Sequence, residues 1–78
     1  MTRYYFHVRD GESLKHDAEG VDLRDVAAAR REAEMAAREL IADQIIHGEK
    51  PDNRQFEVWD DMGIPHFILT FRSVIGIE

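Results

Sequence analysis

The chain has 78 residues and no cysteine, and its 10 Lys+Arg against 16 Asp+Glu give a net charge of −6. That length allows one domain, 1–78, able to bury roughly 60% of the surface its unfolded chain exposes. Absent cysteine excludes a disulfide framework, a cysteine-ligated zinc and a thiol nucleophile, and no apolar run approaches the roughly 18 residues of a membrane span.

The chain opens Met1-Thr2-Arg3-Tyr4-Tyr5-Phe6-His7-Val8-Arg9. His7 and Arg9 interrupt the aromatic run, so it lacks the apolar core of about 7–15 residues that a signal peptide carries. A cytoplasmic location is the expectation. Residues 3–9 alternate, with Tyr4, Phe6 and Val8 on one face and Arg3, Tyr5, His7 and Arg9 on the other, the period-2 pattern of a half-buried strand. A loop Asp10-Gly11-Glu12 leads to a second strand at 13–16 and brings Leu14 beside Val8 on the buried face. Asp17-Ala18-Glu19-Gly20 reads as a further turn.

The middle third changes character. Seven of the eight alanines lie between 27 and 42, whereas all seven aromatics lie in the outer thirds. Alanine favours helix and aromatics favour strands. A helix over 24–47 follows, capped by Asp22 or Asp25 and stopped by Gly48 and Pro51. Its apolar stripe is Val26, Ala29, Ala33, Ala36, Ala37, Leu40, Ile41 and Gln44. At 24 residues it would be about 36 Å long. A compact chain of this size is only about 30 Å across, so one helix end frays or projects. Ile45 and Ile46 lie off the main stripe near that end.

Strands follow at 54–59 and 64–71, joined by Asp60-Asp61-Met62-Gly63. A register with Trp59 opposite Ile64 sets Phe56 opposite Phe67 and Glu57 opposite His66. The expected architecture is α+β, a ββαββ two-layer sandwich with an antiparallel sheet of about four strands and one long helix packed across one face.

Arg3-Tyr4-Tyr5-Phe6-His7-Val8-Arg9-Asp10-Gly11, Asp17-Ala18-Glu19-Gly20-Val21-Asp22-Leu23, the alanine-rich helix, Asp60-Asp61-Met62-Gly63 and Phe71-Arg72 occur together here. In this combination the chain resembles a family of short uncharacterised bacterial proteins, a domain of unknown function with the same layout. The resemblance implies a self-contained bacterial cytosolic domain and implies no activity. A second resemblance is to antitoxin domains that open with a strand hairpin followed by an alanine-rich helix. The present chain is read as lacking the third strand that those domains place before the helix.

One helix covers one sheet face, which leaves Arg3, Tyr5, His7, Arg9, Glu57, Trp59, His66, Ile68 and Thr70 on the other. Aromatics and arginine are enriched at protein interfaces, so this face is the candidate surface for a protein partner or for self-association, a homodimer included. The competing expectation is an ordinary solvent face partly covered by the tail Val74-Ile75-Gly76-Ile77. His7, His66 and Glu57 offer the residue types of a divalent metal site or of a histidine-dependent enzyme, without any short ligand spacing. No cofactor and no metal are expected. A single-stranded nucleic-acid platform of Tyr5 and Trp59 between Arg3 and Arg9 is disfavoured by the −6 charge.

Overall fold

The computed structural model describes residues 1–49 and 53–76, so Pro51 and Ile77 lie outside the described residues. The elements follow as β1 (Thr2–Asp10), β2 (Ser13–Lys15), β3 (Val21–Leu23), α1 (Val26–Ile46), β4 (Gln55–Asp60), β5 (Pro65–Thr70) and a 3-10 turn at Arg72–Ile75. The fold is α+β as expected, with an antiparallel sheet in the order β2-β1-β4-β5 and α1 packed on one face.

The sheet has five strands rather than about four. β3 falls where the sequence reads only the approach to the helix, and it pairs Thr2 with Leu23, Arg3 with Asp22 and Tyr4 with Val21. β2 pairs with residues 8–10 of the same β1 edge. β1 is long enough for two three-residue strands to lie end to end along one side while β4 takes the other. The missing third strand is therefore present. Three residues are too few to show an alternation, which is why the pattern hid it.

The first hairpin also differs from expectation. Asp10 faces Ser13 and Arg9 faces Leu14, so the connection is the two-residue turn Gly11-Glu12, with Gly11 at φ 61°. Positive φ at the first central position is what a type II′ turn requires. Leu14 accordingly sits with Arg9 on the outer face, and Lys15 rather than Leu14 stands opposite Val8.

The β4–β5 register is displaced by two residues from the expected one: Phe56 faces Leu69, Glu57 faces Ile68 and Val58 faces Phe67. A two-residue slip preserves the faces, so the aromatic core forms as read. A bulge then intervenes, and Trp59 faces Pro65.

The helix is shorter than 24–47 at both ends. Asp25, not Asp22, is its N-cap and accepts the Ala28 amide at 2.8 Å. Its 21 residues span about 31 Å. Only Ala29, Ala33, Ala37 and Ile41 are buried, while Val26 and Leu40 of the expected stripe are exposed and Ile46 is 80% exposed. The C-terminal turn therefore projects from the core by its exposure, although at about 31 Å the helix length, unlike that expected for 24 residues, no longer demands it. The alanine seam meets Tyr4, Phe56, Val58, Leu69 and Phe71. Small side chains on the helix let it approach closely enough for the rings to fill the layer. Ala33→Leu or Ala37→Leu is expected to cost about 1–3 kcal/mol by overpacking this seam. Unchanged thermal midpoints in both variants would refute this docking face.

Beyond β5 the chain turns onto the helix side. Phe71 is fully buried although it follows the strand, and Val74 packs against the core. The tail expected to shield the outer face thus covers the opposite side, as far as residue 76. No helix is long and apolar enough to cross a membrane among the described residues.

Candidate functional site

The outer face is built on β1 and β4, which bring His7 opposite Glu57 and Tyr5 opposite Trp59. His7 is the centre of this face and is only 6% exposed, although among the described residues no second layer covers the sheet there. Its cover is local. The Tyr5 ring stacks at 6.2 Å, His16 meets it edge-on at 4.8 Å and Trp59 edge-on at 4.9 Å. His16, at the end of the strand expected at 13–16, belongs to this cluster and also meets Trp59 edge-on.

The backbone supplies the rest of the His7 environment. Between β2 and β3 the β1 edge has no strand partner, and the segment 16–20 crosses the gap. Asp17 holds it there: one carboxylate oxygen accepts the Phe6 amide at 3.1 Å, the other accepts the amides of Glu19 and Gly20. The Asp17 amide in turn donates to Nδ1 of His7 at 3.0 Å. A nitrogen that accepts from an N–H carries a lone pair, so His7 is neutral with its proton on Nε2. Burial and the neighbouring His16 lower its pKa from the ordinary histidine value, against the opposing pull of Asp17 and Glu57.

Both arginines of the face are committed within the chain. Arg3 donates to both carboxylate oxygens of Asp22 at 2.9 and 3.0 Å. Arg9 reaches Glu57 at 2.8 Å through Nε, and this hydrogen bond holds the Glu57 carboxyl below its ordinary pKa. The guanidinium groups that would grip phosphates are thus already matched by carboxylates.

His66 does not join His7. The bulge places it on the Tyr4 side, where its ring meets Tyr4 edge-on at 5.7 Å and its Nε2 lies 2.9 Å from Asp60. Asp60 also accepts the amides of Met62 and Ile64, so it ties the β4–β5 turn as well. The trio His7, Glu57 and His66 is not assembled, since Glu57 pairs with Arg9 and His66 with Asp60, and among the described residues no three His, Asp or Glu side chains are grouped to hold a metal. The Asp60-Asp61 turn likewise spends its first carboxylate on its own backbone and His66.

What the face leaves open lies toward β5. A shallow groove of about 410 Å³ is lined by Glu57, Trp59, Pro65 and Ile68, with His66 and Phe67 completing its wall. Ile68 is 57% exposed. Residues 3–72 match the model of one family, described as a domain of unknown function, DUF6894. The chain belongs to that family. No curated protein and no solved structure matches it.

Within this DUF6894 domain, the two ends of the turn Asp17-Ala18-Glu19-Gly20 organise the face: Asp17 and Gly20. A Cβ on Gly20 would come within 2.9 Å of Arg3 Cγ and of Tyr5 Cε1. An aspartate followed by glycine three residues later is a recognisable loop signal, since the carboxylate can accept amides just downstream. Nothing local reveals that the same carboxylate also caps Phe6, eleven positions earlier.

Proposed function

We propose that this DUF6894 domain is a non-catalytic interaction module, and that its contact surface is the β4–β5 half of the open sheet face, used first of all for self-association. One observation carries the reading: the face opposite α1 is left uncovered by the described chain, and its open part is apolar, formed by Trp59, Pro65 and Ile68. Exposed apolar surface bordered by paired charges is the composition of a protein contact. Arg3, His7 and Arg9 frame this surface rather than offer free charges to a ligand, because they are hydrogen-bonded inside the chain, and the Tyr5 ring stacks on His7.

The enzyme alternative loses its assembled site with the separation of His7 from His66. The nucleic-acid alternative loses its free arginines. β3 removes the topological difference from the antitoxin domains that the sequence resembles, and a regulatory role of that kind would use the same open face.

Light scattering across a concentration series tests the proposal. Wild type is expected to associate as concentration rises, with Ile68→Asp shifted to monomer and Met35→Asp, on the exposed helix side, unchanged. A wild type that stays monomeric throughout, or an Ile68→Asp variant that associates normally, counts against it.

A further inference from the structure

Resting on that self-association, we infer that two copies join edge to edge through β5, paired antiparallel about a twofold axis at Ile68, so that their open faces merge into one platform. The backbone pattern sets this up. The Phe71 amide donates to the Arg54 carbonyl at 3.0 Å. In an antiparallel ladder bonded and non-bonded pairs alternate, which makes Phe56–Leu69 and Val58–Phe67 the bonded pairs and leaves Glu57–Ile68 non-bonded. The amide and carbonyl of Ile68 therefore point away from β4, toward the open edge.

The two edges of the sheet are guarded differently. On one side the edge is broken into β2 and β3, three residues each, carrying Lys15 and Asp22. Short strands and charges are how sheets discourage edge pairing. On the other side β5 is a continuous six residues, Pro65-His66-Phe67-Ile68-Leu69-Thr70, without Lys, Arg, Asp or Glu. The run is closed at both ends. Pro65 lacks an amide donor, and the Thr70 carbonyl already accepts the Ser73 hydroxyl at 2.7 Å.

A short, uncharged edge centred on one residue fits a second copy of itself. Twofold pairing puts Ile68 against the partner's Ile68 on the outer face and Phe67 against the partner's Leu69 on the helix side. No like charges meet along the seam, although each chain carries −6 overall. The Trp59–Pro65–Ile68 patch continues across the axis into its counterpart.

The cysteine-free chain gives a direct test. Directly opposed residues of a bonded antiparallel pair have Cα atoms about 5.5 Å apart, within the disulfide range. Under mild oxidation Ile68→Cys is expected to form a covalent dimer, and Ile45→Cys, on the projecting helix end, to remain largely monomeric. A measurement on wild type needs no variant: hydrogen exchange at the Ile68 amide is expected to slow as concentration rises. If wild type dimerises by light scattering while Ile68→Cys stays reduced and the Ile68 amide exchanges freely, the edge geometry is overturned and self-association stands. If wild type is monomeric at every concentration, both fall.

Discussion

Gly20→Ala is expected to be among the most damaging single-methyl changes in this chain, with a loss of about 2–5 kcal/mol in unfolding free energy. Two effects add. Gly20 has φ 70°, a left-handed conformation that costs an L-residue roughly 1–2 kcal/mol. Its new Cβ would also press on Arg3 Cγ, Tyr5 Cε1 and the Tyr4 carbonyl at 2.9–3.0 Å, and overpacking of this kind costs roughly 1–3 kcal/mol. Gly11 separates the two effects. It shares the left-handed backbone at φ 61° but has nothing within 4 Å of a Cβ, so Gly11→Ala should lose only the roughly 1–2 kcal/mol of strain. Chemical denaturation of the two variants beside wild type measures the difference. A domain of this length has a total stability of about 4–12 kcal/mol, so Gly20→Ala takes a large share of it. Equal losses in the two variants would show that the segment 16–20 yields without cost, and the packing account would fail.

The contrast between these glycines marks what could be read without coordinates. Alternation in residues 3–9 and 54–59, and the four-residue spacing of Ala29, Ala33, Ala37 and Ile41, are local periodicities, and each gave the correct face. Register was less accessible. Phe56 opposite Phe67 and Phe56 opposite Leu69 bury the same faces, so hydrophobicity alone does not separate them, and a bulge decides. That bulge also carried His66 from the open face to Tyr4 and Asp60, which dissolved the only metal-like constellation. β3 escaped notice because its stability comes from pairing with β1 rather than from its own three residues. Most of the open face was legible as a set of residues, although Leu14 joins it and His66 turns to Tyr4 and Asp60. Its internal economy was not, because Arg3–Asp22 and Arg9–Glu57 join residues 19 and 48 positions apart. The open part of the face accordingly contracts from the whole strand set to the groove beside β5.

Asp17→Ala is expected to lower stability by about 2–4 kcal/mol and to release the segment 16–20 from β1. The carboxylate serves three amides, of which those of Phe6 and Gly20 are partly buried and would be left unpartnered. An orphaned buried donor costs about 1–3 kcal/mol, whereas the Glu19 amide is exposed and regains water. The same region sets the response to acid. Burial raises the Asp17 pKa, but the amides of Phe6, Gly20 and Glu19 together outweigh it, and the folded-state value lies below the ordinary 3.8. His7 is likewise lowered from 6.5, by burial and then by His16. In both cases the unfolded chain takes up the proton first, so stability is present above the unfolded-state pKa and is lost as pH falls. The His7 contribution therefore starts to fade below pH 6.5, and that of Asp17 follows below about pH 4. Protonation at Nδ1 would also set an N–H against the Asp17 amide, so the first step loosens the segment that the second releases. His7→Asn places a non-titrating carboxamide oxygen near the position of Nδ1, and it is expected to flatten the thermal midpoint between pH 8 and 5 that declines in wild type. Parallel declines in the two proteins over that range would remove His7 as the origin of the acid sensitivity, and an Asp17→Ala variant as stable as wild type would remove the carboxylate as the anchor of the segment.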